Sequence, residues 1–359
     1  FLEGLSHLTD LDLGENQLVS LTVPKGLSSL NRLGLSGNQL TDFSFLESLS
    51  HLTDLNLTGN HLTDISFLEG LNHLTSLNLG DTHLTRFTLP KGLSQLNWLN
   101  LRNNQLTSVS LEAGMSNLVD LDLSRNRLTS LTLPEGLSSL SLLALDQNQL
   151  ETVSLPEGLI SLTELRLQQN QLSSLSLPNG LSNLTKVDLG ANVLISLTLA
   201  EDLSHLTYLR LSANQLTGVD FLEGLSNLNE FLLDDNQITS LTFPEGLDKL
   251  TKVRLAGNQL TNLSLHDDMS NLVHLDLSNN PSLKSLRVPV GLETDHLEIH
   301  GLNKSDIIAF APISVEWIGD RFLIIWSQGI LQSTTSFSSV WIDLEGAVSP
   351  HPFQSKEPI

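Results

Sequence analysis

The chain has 359 residues, with 40 acidic against 18 basic side chains and a net charge of -22. That balance excludes the clustered Lys and Arg that a phosphate backbone requires, so nucleic acid is not the expected partner, and anionic membrane surfaces are disfavoured as well. Cys is absent, which excludes disulfides, thiolate metal sites and thiol nucleophiles.

The first residues already lie inside a repeating unit. Phe1-Leu2-Glu3-Gly4-Leu5 has the phase of Phe67-Leu68-Glu69-Gly70-Leu71. The expectation is a segment upstream of Phe1, removed or left out, that would carry any targeting signal. Leu8-x-x-Leu11-x-Leu13-x-x-Asn16-x-Leu18 then returns as Leu30-x-x-Leu33-x-Leu35-x-x-Asn38-x-Leu40. The Asn position recurs every 22 residues through Asn60, Asn104, Asn126, Asn148, Asn170, Asn192, Asn214, Asn236, Asn258 and Asn280, with Thr82 the one departure. A period of this length is the mark of a stacked solenoid.

Alternation explains the motif. In x-Leu-x-Leu-x both Leu side chains point inward and the intervening residues point outward. Each unit therefore contributes one strand to a parallel sheet. The Asn turns the chain out of the strand, and its amide can satisfy backbone groups that the turns would otherwise bury unpaired. Thr82 lacks the amide donors, so its turn is predicted to be a weak point. The second half of the unit comes in two forms. Leu131-Thr132-Leu133-Pro134-Glu135-Gly136-Leu137 alternates and then turns at Pro and Gly, which predicts a short second strand. Ile65-Ser66-Phe67-Leu68-Glu69-Gly70-Leu71, echoed near Phe45 and Phe221, lacks the Pro and predicts a 3₁₀ or α turn.

LxxLxLxxNxL is the signature of leucine-rich repeats, and this chain resembles that family from Phe1 to about His300. The 22-residue length, and units such as Leu62-Thr63-Asp64-Ile65, are similar to the internalin subfamily of bacterial leucine-rich repeats. The Pro-Glu-Gly-Leu units depart from it. The resemblance implies a leucine-rich-repeat solenoid over residues 1–300. A curved parallel β-sheet would form its concave face, with short strands or 3₁₀ turns on its convex face. Leu297-Glu298-Ile299 is expected to add a degenerate fourteenth strand in the phase of Leu275 and Leu277.

After Asn280-Pro281 the period breaks by one inserted residue. Residues 301–359 hold Trp317, Trp326 and Trp341 and are expected to form a small β cap or appended module. Phe322-Leu323-Ile324-Ile325-Trp326 and Val340-Trp341-Ile342-Asp343-Leu344 read as strands. From Gly329 to Pro350 this tail resembles a β module at the ends of secreted bacterial proteins. The apolar run from Ile307 to Trp326 is interrupted by Glu316, Asp320 and Arg321, so membrane insertion is not expected.

Function must sit on positions that the repeat leaves free. Two outward columns start at Asp10 and Asp12, and a third includes Arg102. Thirteen strands make a surface roughly 55–60 Å long, enough for a protein-sized partner. Trp98, the single Trp of the array, and Tyr208, the single Tyr of the chain, fall on the first column. Aromatic and Arg side chains dominate interface energetics when desolvated. Leu142, Ala144 and Leu232 are apolar where the pattern expects polar residues. Arg166, Arg210 and Arg254 read as a partial basic row. The expected partner-binding set is Trp98, Tyr208, Leu142, Arg166, Arg210, Leu232, Arg254 and Arg102.

Other chemistry is less well supported. Asp10/Asp12, Asp120/Asp122 and Asp234-Asp235 invite a Ca²⁺ reading, but neighbouring repeats supply no consistent third or fourth ligand. His7, His51, His73 and His205 share one phase, and His61 and His83 another, which reads as tolerated surface. The spacing of His266, His274, His296 and His300 matches no metal motif. The expectation is thus no metal, no cofactor, no catalytic residues and no enzyme activity. The chain reads as a secreted or cell-surface bacterial module that binds a protein, with or without glycan. Self-assembly through solenoid ends, as a building block of a fibre or envelope, is the alternative.

Overall fold

The structure is a computed structural model that describes residues 2–24, 26–289, 292 and 298–302. It also describes the strand backbones at 307–309, 314–318, 321–325, 331–333, 342–344 and 351–353. One three-residue strand per unit, from Asp10–Asp12 to Glu298–His300, joins a 14-stranded parallel sheet. Neighbouring strands pair at a 22-residue offset, as in Ser76 opposite Trp98 and Leu142 opposite Glu164. The inward Leu residues of the motif, such as Leu143, Leu145 and Leu165, are fully buried. They run as one continuous apolar core along the stack.

The two forms of the half-unit follow the expectation in part: the Pro-bearing segments before Pro24 and Pro244 form no convex strand beyond an isolated bridge at Thr242. Alternating segments form convex strands at Arg86–Thr88, Ser108–Ser110, Ser130–Thr132, Thr152–Ser154, Ser174–Ser176 and Ser196–Thr198. These pair only in twos, as Ser130–Thr132 with Thr152–Ser154. Where the segment carries Phe-Leu instead, 3₁₀ turns replace them at Ser44–Ser48, Ser66–Leu68 and Asp220–Leu222. Lack of Pro alone does not decide, since Ser108–Ser110 and Ser196–Thr198 are strands without it. Phe43 and Phe67 pack ring against ring there, 5.2 Å apart.

The Asn ladder is realised rung by rung. Asn148 is typical. Its Nδ2 donates to the Leu145 carbonyl of its own turn at 3.1 Å and to the Leu123 carbonyl of the preceding unit at 3.0 Å. Its Oδ1 accepts from the Leu128 N–H at 3.0 Å. The residue before each Asn takes a left-handed conformation, even where it is Arg125 or Gln147. The fixed turn geometry therefore prevails over the local preference of those side chains.

At Thr82 the expectation of an unreplaced amide needs correction. The Thr82 hydroxyl donates to the Leu79 carbonyl at 2.7 Å, taking over one amide bond. The Leu62 N–H, which an Asn side chain would have accepted, turns to the Thr82 carbonyl at 3.2 Å. Thr82 is wholly buried. What the hydroxyl cannot do is reach back to the preceding unit as a second donor. The following residue, His83, also adopts a positive φ of 64°.

The last strand corrects the expected phase. His274 pairs with Glu298, Leu275 with Ile299 and Asp276 with His300. The offset is 24 residues, not the 22 that would align Leu297 with Leu275. On the convex side Asn262 pairs with Ser285, an offset of 23, so one extra residue enters near Pro281 and another between Val288 and Glu298. A two-residue slip keeps the same side chains facing inward, which is why the sheet continues undisturbed. Ile307–Ala309 pairs in parallel with Ser285–Val288, so parallel stacking continues past residue 300. In the tail, Arg321–Ile325 lies antiparallel between Ser314–Ile318 and His351–Phe353, and Leu331–Ser333 pairs with Ile342–Leu344. Trp326, Val340 and Trp341 lie outside the described residues.

Candidate partner-binding face

The outward columns project from a rigid sheet, because each strand is pinned by ladder bonds at its end and by Leu beneath it. Trp98 and Tyr208 are both half-buried and stand on the same column. Five strand intervals separate them, roughly 24 Å. The Trp98 side chain stands beside Asp120, its register partner in the next strand. Asp120 itself is pushed above the ordinary carboxylate range by burial and by neighbouring Asp122. Tyr208 has the Lys186 ammonium over its ring, 5.5 Å from the centroid. Burial, with Asp188 adding to it, pushes its phenol up. The two aromatics are thus preoriented by the strands that flank them.

The expected basic row is largely neutralised in place. Arg166 Nε lies 2.7 Å from Glu164 Oε1, and Lys186 Nζ lies 2.9 Å from the same oxygen. These contacts hold the Glu164 carboxyl below its usual range, with the Arg166 hydrogen bond the largest cause, and raise Arg166 in turn. Arg210 is 3.4 Å from Asp188, and Arg254 is 3.2 Å from Asp234 and 3.9 Å from Asp276. Arg102 reaches Asp122 at 3.9 Å and the Ser124 hydroxyl at 3.4 Å. A partner would meet local ion pairs rather than a bare positive stripe.

The expected apolar contacts divide. Leu142 is half-buried and reachable. Leu232 is only 8% exposed and is flanked in register by the long side chains of Arg210 and Arg254, so it supports the sheet more than it offers a contact. Ala144 is 2% exposed.

The sequence reading missed the hollow of the face. A trough of about 530 Å³ opens over the first five strands, lined by Asp10, Asp12, Gly34, Asn56, Asn78 and Trp98 among others. Gly34 makes room there. A Cβ at that position would lie 2.6 Å from Asp12 Oδ1. Trp98 closes the far end of this trough, which places it between the acidic N-terminal strands and the ion-paired central ones. The signal was the lack of a side chain at Gly34 in a column otherwise populated.

A stack of 22-residue turns with a buried Asn ladder and a parallel concave sheet defines a leucine-rich-repeat solenoid. The BspA-type leucine-rich-repeat region matches in six copies over residues 14–107, 100–209 and 192–296, and the chain belongs to that family. No curated protein matches the sequence. Among solved structures, a leucine-rich-repeat protein of Leptospira interrogans is 28% identical, with a TM-score of 0.63 over 82% of this chain and 78% of that one. YopM, a leucine-rich effector protein of Yersinia pestis, is 26% identical, with a TM-score of 0.56 over 82% of this chain and 77% of its own. An internalin of Listeria monocytogenes shares the fold at 24% identity and a TM-score of 0.62, over 84% of this chain and 88% of its own. Among the described residues no helix is long and apolar enough to cross a membrane.

Proposed function

We propose that the chain is a non-catalytic recognition module that holds a protein partner against its concave sheet, outside the bacterial cell or on its surface. The observation that carries this reading is the pair Trp98 and Tyr208. Both are half-buried, aimed away from the core and fixed by neighbouring strands on a rigid face. Large aromatics that have already lost rotamer freedom give up little further entropy on binding. Leu142 lies between them, two strands beyond Trp98. Arg166, Arg210, Arg254 and Arg102 set orientation through charge-assisted bonds, exchanging present carboxylates for those of the partner. A glycan on the partner would meet the polar outward residues Asn56, Asn78 and Asn100. Family membership and the bacterial relatives support a binding module at the cell surface.

The test compares the intact chain with Trp98→Ala and Tyr208→Ala variants against a partner captured from the native surroundings. The reading expects each substitution to weaken affinity at least tenfold while the circular-dichroism spectrum stays the same. Unchanged affinity in both would overturn the site.

A further inference from the structure

The register slip at the end of the sheet has a chemical consequence. It sets His274 opposite Glu298, and Asp276 opposite His300, on two adjacent strands. Residues two apart on a strand share a face, so these four side chains occupy one outward patch. The ligand atoms of His274, Glu298 and His300 all lie within 4.8 Å of one another. His274 Nδ1 is 3.2 Å from Glu298 Oε2. A tetrahedron with metal–ligand bonds of about 2.0–2.1 Å has edges of about 3.4 Å, so that pair already stands at a coordination distance.

Ring orientation separates this cluster from the other histidine pairs. His51 and His73 stack at 23°, and His61 and His83 at 13°. Those near-parallel rings lie side by side, as repeated positions of one column must. His274 and His300 come from different columns and are inclined at 53°, with centroids 5.4 Å apart. Inclined rings on neighbouring strands can converge on a shared point, and the carboxylate of Glu298 is already there.

We propose that His274, Glu298 and His300 bind one transition-metal dication of the zinc class. Two imidazoles and one carboxylate suit zinc, nickel or copper, whereas calcium and magnesium call for six or more oxygens. The Glu298 side chain is 71% exposed and that of His274 28%, so the ion enters directly from solvent and keeps an open position. Asp276 stands beside the site without joining it. Its Oδ1 accepts from the Ser278 N–H and hydroxyl at 3.0 and 2.6 Å, and Arg254 lies 3.9 Å from its Oδ2. Asp276 thereby sets a carboxylate next to the ion. This site does not depend on the partner-binding reading, since its test contains no partner.

The experiment titrates zinc(II) into the tag-free chain by calorimetry and cobalt(II) by absorption spectroscopy. The expected result is one equivalent bound with micromolar or tighter affinity, and a cobalt spectrum of four- or five-coordinate type. His274→Ala and His300→Ala each weaken zinc binding at least tenfold, while His266→Ala, which removes the His266–Asp268 pair, changes nothing. Should an Ala variant unfold the end of the stack, Glu298→Gln and the cobalt spectrum of the intact chain decide instead. No stoichiometric binding, an octahedral cobalt spectrum, or equal affinity in the His274→Ala and His300→Ala chains would overturn the proposal.

Discussion

The turn edge and the concave columns of this solenoid obey opposite rules. Along the turn edge one residue type recurs because the backbone demands it. Asn148 satisfies three main-chain groups from two successive units with a single amide, and no other side chain of that size has both the donors and the acceptor. On the concave columns, a few ångströms away, Trp98, Asp120, Leu142, Glu164, Lys186 and Tyr208 follow one another with no repeated chemistry. The strand backbone places no demand on what points outward. Sequence uniformity thus marks the load on the fold, and its absence marks the surface available for binding.

Substitutions on each side can break or sharpen that contrast. The largest effect is expected in the ladder. Asn148→Ala leaves the Leu123 and Leu145 carbonyls and the Leu128 N–H short of a buried partner. At about 1 kcal/mol or more for each, the loss is roughly 3 kcal/mol, read as a lower urea midpoint. On the concave side, Trp98→Ala or Tyr208→Ala should weaken partner binding by about 2 kcal/mol, in the range of an aromatic hot spot, and leave the urea midpoint within error. A midpoint shift as large as that of Asn148→Ala would erase the distinction between the two regions.

Thr82→Asn tests the ladder from the other direction. Restoring the second donor, and with it the bond to the preceding unit, should raise stability by about 1 kcal/mol. Thermal unfolding would read it. The smallest effect belongs to Asp120. Its carboxyl is raised in the folded chain above the ordinary 3.8 by burial and by Asp122. A group with a raised folded pKa binds its proton more readily when folded. Its ionised form therefore costs stability at neutral pH, and stability recovers as the pH falls through the folded value toward 3.8. Asp120→Asn should remove that dependence and add about 0.5 kcal/mol at pH 7, since solvent screens a half-exposed group. A pH profile of the urea midpoint, compared between the two chains, checks the sign.

Much of this fold was legible because the repeat reports itself thirteen times. The inward Leu residues, the Asn rungs and the 3₁₀ turns at the Phe-Leu segments followed from local pattern, whereas Pro did not decide the convex strands, which also form without it at Ser108–Ser110 and Ser196–Thr198. What stayed hidden depends on which side chains meet across units. Arg166 and Glu164 are two apart in sequence, yet Arg210 meets Asp188 and Arg254 meets Asp234 only because the strands stack at a fixed offset. Leu232 read as an exposed apolar contact because its column faces outward. It lies buried between its register partners Arg210 and Arg254, each 22 residues away. His274 and His300 were set aside because their spacing fits no helical or loop metal motif. A 24-residue offset brings them together, and only the actual strand pairing reveals it. At Thr82, a pattern-based argument counted donors on the side chain and overlooked the freedom of the main chain to supply a replacement.

That same Thr82 turn bears on how the molecule would fail under tension. Among the described residues, each ladder Asn from Asn38 to Asn280 is stitched to the preceding unit by an amide that spans the seam, whereas the Thr82 side chain bonds its own turn and the following Asn104. Pulled from both ends, the stack is expected to yield first between its third and fourth strands, where main-chain bonds cross the seam without a ladder amide. The acidic N-terminal portion should peel away before the Trp98–Tyr208 segment gives.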